Sequence, residues 1–337
     1  MASFLDSAAD LLDRSEGSVS AHAFRYVFRL LEERLPILFS KSVVDLTNIE
    51  SLFSIIEMGR FLGRLPMTPP EEIDHAHSAV RTLIAETIEE TCLFRTSPEG
   101  RWLPHEHYSR LVAAFRGAPA SDVVFLTFNY DVAIDFALHS AGSAVDYALG
   151  DAPLDGAVPL LKLHGSLNWA RCTECDAISV LPFDRYFKGG PGSHPLKAAR
   201  LPMRLREILH RVGRLCPHDS SAVVAAIVPP TWNKTEHHKI FHAVWKRAAS
   251  EMATADRIVI AGYSFPASDG FFRDLLALGL LGTTRLRQFA VVDPDPEVHG
   301  RFRALLSPQS QRRYVGYQAR FEDALPNLAK EMGWVAT

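Results

Sequence analysis

The sequence predicts an α/β fold: a parallel sheet with helices on both faces, a helical N-terminal region and a small insert that could bind zinc. Three observations carry this. Short, continuously apolar runs alternate with helical stretches from about residue 122 onward, and such runs suit strands buried on both faces. The first third shows helical spacing only. Three of the four cysteines, Cys172, Cys175 and Cys216, lie in one stretch.

The elements follow in order. In Ala23–Leu35 apolar residues recur every three or four positions, as an amphipathic helix requires. Asn48–Leu62 has a candidate N-cap at Asn48 and a glycine beyond its far end. Pro69-Pro70 interrupts, Glu71–Leu93 resumes the helical pattern, and Tyr108–Phe115 is a shorter one. Val123–Thr127, Pro159–Leu163, Val223–Val228, Arg257–Ala261 and Phe289–Val292 read as strands. Val132–Ser140, Leu201–Val212, His237–Ala253, Gly270–Gly279 and Pro296–Leu305 read as helices. Alternation of this kind implies a parallel sheet. The expected division is 1–120, mainly helical; 121–164 with 222–337, the sheet core; and 165–221, the insert carrying a CxxC pair.

Composition excludes several classes. Apolar residues are 47% and charged residues 22%, too apolar for a disordered chain. A net charge of −3 leaves no basic field over the whole molecule, so a dedicated nucleic-acid scaffold is not expected. Four cysteines in 337 residues do not make a disulfide scaffold and point to a reducing compartment. The longest apolar runs, such as Ala222–Val228, are far short of the ~20 residues of a membrane span. The N-terminal segment is acidic and amphipathic rather than a secretory signal, so the expected location is cytoplasmic.

An open parallel sheet binds ligands beyond the carboxyl ends of its strands. The residues there are Phe128-Asn129-Tyr130-Asp131, His164-Gly165-Ser166, Pro229-Pro230-Thr231-Trp232, Gly262-Tyr263-Ser264 and Asp293-Pro294-Asp295. Each has a plain structural reading. Asn129 and Asp131 could cap the next helix, His164 could be a satisfied core histidine, Gly262 and Ser264 could be turn chemistry, and Asp293-Pro294-Asp295-Pro296 could start a helix. Together, at one sheet edge, they favour a ligand site. An Asp after a late strand accepts from a ribose diol and repels a 2′-phosphate, which favours NAD over NADP. A histidine at the edge can act as a general base near neutral pH. Asn129 can orient a hydroxyl or a water without charge.

These pieces resemble the sirtuin-like (silent information regulator) family, especially its bacterial branch of NAD-consuming proteins. They are TFNYD (Thr127–Asp131), KLHGSLNW (Lys162–Trp169), the Cys172/Cys175 pair, IVPPTWNK (Ile227–Lys234), AGYSFPASD (Ala261–Asp269) and VVDPDP (Val291–Pro296), in family order. NIESLF (Asn48–Phe53) also looks like the helical region that bacterial members carry. The resemblance implies a Rossmann-like NAD-binding core, with NAD as substrate. It implies that Asn129 binds the nicotinamide ribose and is needed for cleavage, that Asp131 contacts the carboxamide and that His164 is the catalytic base. It further implies that Thr127, Gly262 and Ser264 line the cofactor and that Asp293 takes the adenine ribose. Tyr263 replaces the middle residue of the family's Gly-Thr-Ser turn, a change typical of the non-deacetylase branch.

Two departures stand out. The family's opening strand and GAGxS-like phosphate loop have no counterpart here, while Phe4–Leu12 looks like the helix that normally follows them. A start about a strand and a loop too late is expected; a degenerate member without NAD binding is the alternative. The second CxxC is reduced to Cys216-Pro217-His218-Asp219. Cys172, Cys175 and Cys216 with Asp219 or His218 could still hold structural zinc; the alternative is a metal-free insert. Cys92 reads as a plain core residue. The expected activity is hydrolysis of the nicotinamide–ribose bond of NAD, in bacterial anti-phage defence, with a homo-oligomer or defence-system partner. The rivals are an NAD-dependent protein deacylase and a non-catalytic NAD or ADP-ribose sensor.

Overall fold

A computed structural model of the chain describes residues 4–14, 20–40, 42–115, 122–150, 152–183, 200–203, 205, 216, 221, 223–228, 238–265, 270–280 and 286–333. The fold is α/β. Two compact units make it up. One comprises Met1–Pro104, Phe128–Ala133 and His164–Ile240, the other His105–Thr127, Ile134–Leu163 and Phe241–Thr337.

The first unit opens with helices. Phe4–Arg14 and Ala21–Arg29 both pack on the long helix Ile73–Thr91. The expected helix Ala23–Leu35 is α-helical only to Arg29, followed by a π-turn Leu30–Arg34 and a 3-10 turn Leu35–Ser40. Pro36 explains the break, because it has no N–H to donate and its ring crowds the preceding turn. Helix Ile49–Phe61 starts where Asn48 Oδ1 accepts from Glu50 N at 2.8 Å, and buries Leu52, Phe53 and Ile56. The start of Ala21–Arg29 is held from afar: Glu86 accepts from Ser20 N at 2.6 Å and from its hydroxyl at 2.7 Å.

This unit also carries two antiparallel sheets. Leu93–Thr96 pairs with Trp102–Leu103 and with Arg200–Pro202. The expected helix Leu201–Val212 therefore begins instead as a strand. Pro202 pushes Leu201 toward extended backbone, and the strand lies at the sheet edge, where proline costs no ladder bond. Residues 206–212 lie outside the described set. In the second sheet Gly165–Cys172 runs between Ile178–Val180 and Val223–Ile227. Val223–Ile227 is thus antiparallel to its neighbour rather than part of the parallel sheet that its composition suggested. A continuous apolar run specifies burial on both faces, not the direction of its partner.

The second unit holds the parallel strands. One sheet has the order Phe125–Thr127, Val158–Lys162, Val145–Asp146; the other has Arg257–Ala261, Gln288–Val292, Tyr314–Tyr317. Helices cover both faces of Gln288–Val292. Ala290 and Val292 pack on Ala324, Leu328 and Met332, while Phe289 faces Phe302 on the opposite side. Leu160 packs with Val112, Ala137 and Leu138. Lys162 and Asp135 form an ion pair at 3.0 Å with both side chains 0% exposed, and Tyr147 donates to the same carboxylate at 2.8 Å.

Candidate functional site

The residues at the strand ends form two groups, one in each unit. In the first unit, the chain turns at Gly165, whose φ of 89° lies in the left-handed region that glycine tolerates. His164 is 4% exposed, and its ring sits against Phe128 at 4.8 Å between centroids, with Tyr130 at 6.2 Å. Its carbonyl accepts from Val228 N at 2.9 Å. Tyr130 closes the frame: its hydroxyl donates to Val228 O at 2.7 Å, and its carbonyl accepts from Leu167 N at 2.9 Å. Burial, and secondarily the Glu50 carboxylate, push the Tyr130 phenol above its ordinary range, so it stays a neutral donor. Behind it Ser166 donates to Asn168 Oδ1 at 2.6 Å, with both residues 0% exposed. The His164 imidazole is thus fixed in backbone and ring position, and Asn129, the residue after Phe128, is exposed.

Asp131 does what a helix cap does: its Oδ1 accepts from Ala133 N at 2.8 Å, at the start of helix Ala133–Ser140. It also lines a small pocket with Glu89, Cys92 and Phe94. Cys92, expected as a plain core residue, is half-buried in that pocket. Sequence spacing offered no signal for this, since the contact joins a helix end to a loop some 40 residues on.

In the second unit, Thr127 ends its strand and its carbonyl accepts from Leu163 N at 2.9 Å. Gly262 and Asp293 lie side by side past the ends of paired parallel strands. Gly262 N donates to Val292 O at 3.2 Å, and Asp293 N donates to Tyr317 O at 3.1 Å. Gly262 has φ 64°, again a conformation that favours glycine. Ser264 is exposed, and its carbonyl accepts from Arg301 Nε at 3.0 Å. Tyr263 turns into an aromatic cluster with Phe272, at 5.0 Å, and Phe302. Asp293 Oδ1 accepts from Asp295 N at 2.8 Å, and Asp295 in turn caps Pro296–Leu305.

The cysteine group belongs to the first unit. The thiol sulfurs of Cys172, Cys175 and Cys216 all lie within 4.8 Å of one another, with Cys175 and Cys216 at 3.4 Å. Two N–H groups, of Glu174 and Cys175, point at Cys172 Sγ at 3.3 and 3.5 Å. Chiefly through the Cys175 N–H, they hold this thiol below its ordinary range. Three soft sulfurs at the corners of a small triangle suit zinc, which takes four ligands. His218 and Asp219, the expected sources of the fourth, lie outside the described residues, as do residues 229–234 of the IVPPTWNK stretch. Arg171 supports the turn through Asp176 at 2.9 Å.

No family model matches the chain, and no curated protein matches it. Solved structures do. A Sir2 homologue mutant in complex with ADP-ribose is 16% identical over 79% of this chain and 78% of its own, with a TM-score of 0.42. A Sir2 homologue–NAD complex is 16% identical over 80% of each chain, with a TM-score of 0.40. Sir2 bound to acetylated peptide is 13% identical over 85% of each chain, with a TM-score of 0.40. Likeness this distant assigns no activity to the chain.

Proposed function

We propose that the protein cleaves the nicotinamide–ribose bond of NAD, and does so as a hydrolase. The observation that carries this is the His164 frame: a buried imidazole against Phe128, locked through Val228 and Tyr130, beside an exposed Asn129. Breaking the bond expels neutral nicotinamide and leaves an oxocarbenium-like ribose, so the reaction asks for orientation and a base rather than a strong acid. In this reading Asn129 holds the nicotinamide ribose and the attacking water, and His164 accepts the proton as water adds to the anomeric carbon. Asp131 meets the carboxamide. Thr127, Gly262, Ser264 and Asp293 serve the rest of the dinucleotide.

Within this proposal the cysteine group holds a structural zinc. The protein works in the cytoplasm, in bacterial defence against phage, as a homo-oligomer or with a defence-system partner. No described helix is long and apolar enough to cross a membrane. The tyrosine at 263, where the family turn has threonine, and the aspartate that ends Cys216-Pro217-His218-Asp219 favour the hydrolase over a peptide deacylase. The test is nicotinamide release from NAD, with and without an acetylated peptide. Release without peptide is expected. Release only with peptide makes it a deacylase, and binding without turnover makes it a sensor.

A further inference from the structure

Asp293 is held more completely than a helix-start aspartate requires. Its N–H donates to Tyr317 O at 3.1 Å, and its Oδ1 accepts from Asp295 N at 2.8 Å. Its carbonyl meets His299 Nε2 at 2.8 Å. A carbonyl only accepts, so Nε2 carries the proton, and in the neutral ring Nδ1 is then an acceptor. Tyr314 supplies the donor, its hydroxyl lying 2.6 Å from Nδ1. Burial raises the Tyr314 phenol above its ordinary range, outweighing the opposing charge of Arg303, which stacks on the ring at 4.6 Å, so the hydroxyl keeps its proton. His299 is 6% exposed. Room for its ring depends on Gly316, where an added Cβ would lie 2.9 Å from His299 Nδ1. A helix, a strand and a strand-end loop thus converge on one half-buried residue.

We infer that His299 is a positioning residue that sets nucleotide preference: through Tyr314 and Gly316 it fixes the Asp293 carboxylate to accept from a ribose diol and to reject a 2′-phosphate. This rests on the reading of Asp293 as the adenine-ribose contact. The discrimination is a matter of placement as well as charge. A carboxylate free to swing away would tolerate the phosphate, whereas one tied at Oδ1, on a backbone that His299 and Tyr317 hold at its carbonyl and N–H, cannot.

Binding of ADP-ribose and of ADP-ribose 2′-phosphate to the full chain, by calorimetry, tests the inference without turnover. The wild-type protein is expected to prefer ADP-ribose. His299→Ala should weaken ADP-ribose about tenfold and narrow the preference over the 2′-phosphate form about threefold or more. His299→Gln, which keeps a donor for the carbonyl, should recover most of the preference. Tyr314→Phe and Gly316→Ala, which keep the ring in place or merely displace it, should each cost about threefold. They decide the matter if His299→Ala does not fold. Wild-type affinity and preference in both His299→Ala and Tyr314→Phe would overturn the inference while leaving the ribose reading intact. If the wild-type chain binds neither nucleotide, the reading of Asp293 falls and the inference falls with it.

Discussion

The His164 and Asp293 regions both follow apolar strands, yet they are built differently. His164 is buried among aromatic rings, and its fixed points are backbone ties to Val228 and a phenol. Asp293 is half-buried and almost wholly hydrogen-bonded, through Tyr317, Asp295 and His299. An aromatic wall lowers the local dielectric around a base and excludes stray nucleophiles, which matters for a chemical step. A hydrogen-bond cage fixes where one charge points, which matters for affinity and choice of ligand. In the proposed reading, the first region serves turnover and the second recognition.

That division can be broken by mutation. The largest effect is expected at the chemical step: Asn129→Ala and His164→Ala should each lower kcat by ~10²-fold or more with KM little changed, measured as nicotinamide release alongside circular dichroism to show a retained fold. Equal changes in both constants, or none, would remove the first region from the chemistry. Next comes the platform of the His164 strand. Asp135→Leu leaves Lys162 charged and fully buried without its partner, and should cost about 3 kcal/mol or more in urea unfolding. Asp293→Ala should show the opposite kinetic signature from His164→Ala, with KM raised about tenfold and kcat nearly kept.

The smallest effect concerns Tyr130. Tyr130→Phe removes the donor to Val228 O and should cost about 1 kcal/mol. It should also alter alkaline stability. The folded phenol titrates above its ordinary 10.0, so above that pH the folded state binds a proton that the unfolded state has released. The stability this group contributes is fully present below pH 10 and is lost as pH rises above it toward the folded-state pKa. The phenylalanine variant should lose that part of the slope in a melting-temperature series from pH 8 to pH 11.

Much of this was legible in the sequence. Arg257–Ala261 and Pro296–Leu305 match the expected bounds, because a short apolar run and an Asp-Pro start are local signals. The strand-end positions of Asn129, His164, Gly262 and Asp293 followed from that same alternation. What escaped depends on contacts distant in sequence. Nothing near Val223 says that its partner will be antiparallel, and nothing near Leu93 says that Arg200–Pro202 will pair with it. The phenol of Tyr130 reaches Val228 across 98 positions. His299 lies within the predicted helix Pro296–Leu305, and only the fold shows that its two nitrogens join Asp293 to Tyr314. Local periodicity reads which face of an element is buried, whereas these ties are set by how elements meet.

The most direct test is nicotinamide release from NAD by the full chain in the absence of any peptide, followed in parallel for His164→Ala. The account predicts release by the wild-type protein and its near-complete loss in the variant. Equal release by both would contradict it, as would a well-folded wild-type protein that binds NAD and leaves it intact.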